Sequence, residues 1–367
     1  MGVTTYATWR PAAPAQQMTL TNGNLTIVGV GSAWRSGRST IGVNAGKWYC
    51  ELHVDFEAGA SNLFCGVGTE AMALNGFVGQ DVQGWGYQSS VGPTGLKYNG
   101  GAGSSYGVGA GAGYATGSTI GIKLDADAKT IECLVNNVSQ GVMFTGLSTS
   151  PLFIAVGIYG SASGFTANFG ATPFTYPIPT GYTGGPYVAS PVGATFATLD
   201  VVAANLVISN SGRTVTKTAA GGVWNSAKTS MRKSVEGWYW EATAEVLAGS
   251  YQFIGGCNHL SSLEPVGQDT NGFSWQNSGR LFTGADYVGT QPAFVQGDVL
   301  GFGFDQSVEY KLFKNGIAVE SYVPSFVGPY GATASMWYLN DVVTFNFGSV
   351  PFKYAPPFGC NPGLYTP

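Results

Sequence analysis

Apolar and polar positions alternate with a period of two along much of this chain. Trp48, Cys50, Leu52, Val54 and Phe56 alternate with Tyr49, Glu51, His53 and Asp55, which predicts a strand with one apolar and one mixed face. Trp238, Trp240, Ala242, Ala244 and Val246 alternate in the same way with Tyr239, Glu241, Thr243 and Glu245. Ile120, Ile122 and Leu124 form a further inward set, matched by Leu300, Phe302 and Phe304. Return strands follow, with Ile131 and Cys133 matched by Tyr310 and Leu312. They end at Asn136-Asn137 and at Asn315-Gly316, the latter a strong type I′ hairpin signal because both residues accept positive φ. No segment carries a convincing 3.6-residue period, so the pattern predicts an all-β protein built from many short strands.

The chain is also self-similar. Trp48-Tyr49-Cys50-Glu51 returns as Trp238-Tyr239-Trp240-Glu241, and Gly84-Trp85-Gly86-Tyr87-Gln88 returns as Gly272-Phe273-Ser274-Trp275-Gln276. Gly117–Asp125 returns as Gly297–Asp305, and Asn168-Phe169-Gly170 as Asn346-Phe347-Gly348. The offset falls from 190 to 178 residues, as loop deletions in the second copy would produce. A period of this length exceeds any solenoid repeat. It predicts two tandem antiparallel β-sandwich domains, 1–182 and 183–367, joined by a linker at about 177–193 that is rich in Pro and Gly.

Composition agrees and narrows the function classes. Of 367 residues 56 are Gly, only 10% are charged, 13% are aromatic, and the net charge is −4. A disordered chain would need lower hydrophobicity and more charge. Without a basic surplus, nucleic acid is not an expected partner. No apolar run reaches the length of a membrane span, and the N-terminus has no signal-peptide pattern. Neither membrane insertion nor export is therefore expected. The five cysteines, Cys50, Cys65, Cys133, Cys257 and Cys360, are widely spaced and odd in number, which suits reduced, buried thiols.

These landmarks resemble the SPRY domain in both halves. The residues that carry the resemblance are Gly46-Lys47-Trp48-Tyr49-Cys50-Glu51 and Trp238-Tyr239-Trp240-Glu241, the latter with Glu236 in place of Gly46. Gly297-Asp298-Val299-Leu300-Gly301, Phe313-Lys314-Asn315-Gly316, Pro151–Val156 and the two Asn-Phe-Gly endings complete the set. The resemblance implies a concanavalin-like, jelly-roll type sandwich and a non-enzymatic binding role. The tails 169–182 and 347–359 look like those of SPRY units in bacteriophage and prophage structural proteins. That likeness implies a virion component, such as a capsid decoration or a head or tail fibre protein, made in the bacterial cytoplasm and assembled into a particle. Its partners would be other virion proteins, or a host surface protein or glycan, with oligomeric assembly expected. A free-standing adaptor that binds protein or peptide is the alternative. A carbohydrate-binding module or glycosidase is the second.

The chemistry-bearing residues narrow these classes further. Cys257 and His259 form half a metal site with no second Cys/His cluster, so no metal or cofactor is expected. Glu51, Asp55, Asp125 and Asp127 could supply paired carboxylates, but Asp125 and Asp305 precede hairpins, where turn bonding accounts for them. The Gly-rich run 107–113 opens no helix and fails as a phosphate cradle. No catalytic residue is expected. The aromatics Trp85, Tyr87 and Tyr98, matched by Phe273, Trp275 and Phe282, are the binding candidates, with core packing as the competing role. Trp34 and Trp224 head a Trp-x-Ser-x-basic motif in which Arg38 and Lys228 read as surface cations.

Overall fold

The structure, a computed structural model, describes residues 2–10, 18–90, 95–107, 112–219, 222–234, 237–261, 265–267, 269–284, 286–304, 309–319, 321–323, 328–357 and 359–366. Glu236, Asp305 and most of the Gly107–Gly113 run lie outside these residues. The chain forms two compact units, Tyr6–Val188 and Ala189–Pro367, and the second also takes in Met1–Thr5. The described residues contain no α-helix, and the all-β expectation holds.

The N-terminal unit has two antiparallel sheets. One runs Val138–Thr145, Thr130–Val135, Thr119–Asp125, Lys47–Phe56, Gly164–Asn168, Thr26–Gly29, Met18–Thr21. The other runs Trp34–Val43, Leu152–Tyr159, Leu63–Gly68, Gly84–Gln88, Gly95–Asn99, Ala102–Tyr106. The C-terminal unit repeats this order. Its first sheet is Ile317–Ala318, Tyr310–Lys314, Val299–Phe304, Gly237–Val246, Val342–Asn346, Thr214–Lys217, Leu206–Ser209. Its second is Leu199–Val202, Asn225–Thr229, Gly331–Met336, Gln252–Cys257, Gly272–Gln276, Arg280–Thr283, Asp286–Thr290.

Register explains how the alternating pattern fills each core. Ile122 pairs with Cys50 on one side and Cys133 on the other, so the three lie in one row across the sheet. The Cys65 thiol meets this row from the opposite sheet, in hydrogen-bonding contact with Cys133. In the C-terminal unit the same row is Trp240, Phe302 and Leu312, and Ile254 takes the place of Cys65. One fold thus holds two different core fillings. Cys50, Cys65, Cys133 and Cys257 are buried and form no disulfide, so these four thiols act as small apolar groups. Burial raises the Cys50 thiol above its ordinary range and pushes Cys257 up to about 11.

The hairpins follow the sequence signals. Asn136 and Asn137 have φ of 47° and 67°, and Asn315 and Gly316 have 50° and 77°. The Asn136 and Asn315 side-chain oxygens accept the Thr119 and Val299 N–H groups, tying each turn to the neighbouring strand. Asp125 accepts the Ala128 N–H at 2.8 Å and pairs with Lys47, which is the expected turn role.

The stretch 177–193 is more than a linker. Thr183–Gly184 runs parallel to Lys47–Phe56, and Ala7 donates its N–H to Pro186 at 3.0 Å, so these residues close the N-terminal unit. The C-terminal unit closes likewise, with Cys360–Pro362 parallel to Gly237–Val246 and Ala197 bonded to Leu364. Parallel pairings of two and three residues have no period to betray them in sequence.

Candidate functional site

The Trp-Tyr-x-Glu strand anchors the tail of each unit. Glu51 is 3% exposed although it lies on the mixed face of its strand. The tail after Asn-Phe-Gly folds back over it, and its carboxylate accepts the N–H groups of Thr175 and Tyr176 at 2.7 and 2.8 Å. The Tyr49 hydroxyl donates to the same group at 3.1 Å. Glu241 repeats this with Lys353, Tyr354 and Tyr239 at 2.9, 2.8 and 3.2 Å. Burial pushes the Glu241 carboxyl up to about 7, against the pull of these donors. Glu51, one of the carboxylates weighed for glycoside cleavage, is therefore engaged in holding the tail.

The remaining chemical candidates do not assemble. His259 is exposed whereas Cys257 is fully buried. His53 is exposed, and its Nδ1 lies 3.2 Å from the Thr119 hydroxyl. No group of three His, Cys, Asp or Glu side chains suited to a metal occurs among the described residues. The two basic residues read as surface cations are buried, at 6% exposure each. Arg38 donates to the Thr69 carbonyl at 2.7 Å and to the Glu70 carbonyl, and Lys228 donates to the Ser261 carbonyl. Both were misread because their partners lie more than thirty residues away on a covering loop.

The six aromatic candidates divide by sheet face. Trp85, Tyr87, Phe273 and Trp275 are buried, at 8%, 0%, 0% and 0% exposure. Tyr87 pairs with Cys65 and Trp275 with Ile254, both on the inward face. The Tyr87 hydroxyl is consumed by the Ala112 carbonyl, and the Trp275 indole donates to Pro292 at 3.2 Å. These four pack the core. Tyr98 and Phe282 pair instead with Gly86 and Ser274, on the outward face, and are half-buried.

On that outward face each unit carries an aromatic cluster. In the N-terminal unit Trp34 contacts Phe64, Phe77 and Tyr159 at 5.2, 5.6 and 5.4 Å. Phe77 also stacks on Phe64 at 4.6 Å and meets Tyr98 at 5.5 Å, so the 69–83 loop covers the cluster. Glycines make that close approach possible, since a Cβ at Gly86 would sit 2.0 Å from the Val78 carbonyl oxygen.

The C-terminal cluster is more open. Trp224 contacts Phe253, Trp337 and Tyr251 at 4.8, 5.2 and 6.0 Å. Tyr251 and Tyr338 lie parallel, 6.1 Å apart with 3° between planes, and Tyr251 is 45% exposed. The flanking Val223 and Leu339 are exposed as well. Tyr338 stands where the N-terminal unit has Gly160, so this shelf of rings belongs to the second unit alone. Tyr251, Trp337 and Tyr338 do not stand out in the sequence because none repeats between the halves as a motif. The available signal was Trp337-Tyr338 directly after an alternating strand.

Residues 47–172 match the family model described as the SPRY domain. Among solved structures, the chain is similar to the SPRY domain of human HERC1, at 17% identity and TM-score 0.37, covering 44% of this chain and 99% of that one. A second human SPRY domain is 17% identical at TM-score 0.35, covering 43% and 98%. The TRIM65 PSpry domain is 16% identical at TM-score 0.36, covering 44% and 92%. No curated protein matches the chain. The family match runs from the Trp-Tyr-x-Glu strand to the Asn-Phe-Gly ending of the N-terminal unit, and SPRY is the domain family to which that stretch corresponds.

Proposed function

We propose that this is a non-enzymatic, protein-binding component of a bacteriophage particle, either a capsid decoration or a head or tail fibre protein. SPRY domains bind proteins, and residues 47–172 match that family. The observation that carries the reading is the shelf of Trp224, Tyr251, Trp337 and Tyr338, four half-buried or exposed rings with exposed Val223 and Leu339 beside them. Large rings with few rotatable bonds concentrate binding energy, and Trp and Tyr dominate protein contact surfaces for that reason. A net charge of −4 over 367 residues leaves the surface suited to close apolar packing rather than long-range attraction. The partner would be a neighbouring virion protein or a host surface molecule.

A mass-spectrometric inventory of purified particles tests the assignment. Stoichiometric presence supports it, and absence leaves the free-standing adaptor as the better account. Parallel rings also suit stacking on a sugar. A glycan array that binds the intact chain but not a Tyr251→Ser, Tyr338→Ser variant would move the partner from protein to carbohydrate.

A further inference from the structure

The two units treat one groove differently. In the C-terminal unit, Gly2–Thr5 lies against the tail: Phe352 donates its N–H to the Thr5 hydroxyl at 3.1 Å, and Val3 and Ser190 exchange bonds at 3.0 Å. Thr5 is 5% exposed and Phe352 is 7% exposed. The matching place in the N-terminal unit is open. It is a groove of about 820 Å³ lined by Tyr6, Pro173, Phe174, Tyr176, Ile178 and Tyr187, among others, and no charged residue lines it. Phe174 is the counterpart of Phe352 and is only half-buried. Among the described residues, none accepts the bond from Phe174 that Thr5 accepts from Phe352.

The repeat also identifies the missing occupant. Thr5-Tyr6-Ala7-Thr8 returns as Thr195-Phe196-Ala197-Thr198. The surroundings match: Tyr6 meets Tyr187 at 5.5 Å and Phe196 meets Tyr365 at 5.7 Å, while Trp48 and Trp238 meet those tyrosines at 5.4 and 5.2 Å. The counterpart of Gly2–Thr5 is therefore 192–195, Val-Gly-Ala-Thr. This segment is uncharged, with Val192 76% exposed and Thr195 exposed.

We infer that a second copy of this chain docks residues 192–195 in the open groove, with the Thr195 hydroxyl accepting the Phe174 N–H. The contact joins two different surfaces, so it is heterologous and propagates head to tail into rings or filaments. It needs neither the particle role nor the aromatic shelf.

Sedimentation velocity of the full chain tests it, with circular dichroism to confirm folding of each variant. The wild type should associate increasingly with concentration. Ile178→Glu, which charges the groove at a position 43% exposed, and Thr195→Val, which deletes the acceptor, should each weaken association by at least about tenfold. Mixing the two variants should yield a one-to-one dimer, because one retains the groove and the other retains the inserting segment. A wild type that stays monomeric throughout would overturn the inference, as would variants that associate like wild type or a mixture that stays monomeric.

Discussion

Tyr354 donates its backbone N–H to the Glu241 carboxylate at 2.8 Å, and Tyr176 donates to Glu51 at the same distance in the other unit. The Trp-Tyr-x-Glu strand of each unit is therefore a fastening: a strand carboxylate that replaces water for two amides of the returning tail. The structural role of the motif follows from this geometry, since a buried amide left without an acceptor is costly.

The pH response of the C-terminal unit follows from the same group. Glu241 ordinarily titrates at 4.5 and is pushed up to about 7 by burial, so the folded state holds the proton more tightly than the unfolded one. Its contribution is fully present below 4.5 and is lost as pH rises through about 7, a decline on the order of 3 kcal/mol. Amide exchange at Lys353 and Tyr354, corrected for intrinsic rates, should show protection falling across that window. Glu241→Gln should flatten the dependence and lower stability by about 1–3 kcal/mol, because a neutral amide offers one oxygen to two N–H donors.

Tyr87 and Trp275 act through packing. Both are fully buried with their polar atoms bonded. Tyr87→Ala or Trp275→Ala should cost about 3–5 kcal/mol in denaturant unfolding. Tyr98→Ala, at a half-buried outward position, should cost clearly less.

Much of this fold was legible in the sequence because side-chain period and turn chemistry are local. The Trp48–Phe56 alternation and the Asn315-Gly316 turn each declare their structure within a few residues. What escaped is non-local. Arg38 and Lys228 look like surface cations until a distant loop brings carbonyls to them. The 183–184 pairing is too short to carry a period. Alternation put Trp85 and Tyr87 on one face but left open which face was the core, and that is settled by the opposite sheet, where Cys65 lies. The shelf residues Trp337 and Tyr338 follow one strand while Tyr251 precedes another, and the two places converge only in space.

Gly316 separates two causes of glycine preference. Its φ is +77°, and an added Cβ would meet the Tyr354 ring at 2.5 Å. At Gly117 φ is +84° but nothing lies within 4 Å. Gly117→Ala should therefore cost about 1 kcal/mol from backbone conformation alone. Gly316→Ala should cost about 1–3 kcal/mol more, because it also displaces the tail held by Glu241. Parallel thermal melts of the two variants give the difference.

On the proposed function, the C-terminal shelf would be the surface that holds this protein in a particle. Quantitative mass spectrometry of purified particles, made with the wild-type chain or with a Tyr251→Ser, Trp337→Ser variant of unchanged melting behaviour, tests it most directly. The account predicts stoichiometric wild-type protein and at least about a tenfold loss of the variant, as expected when two aromatic anchors are removed. Particles that lack the wild-type chain, or that retain the variant in equal amount, would contradict it.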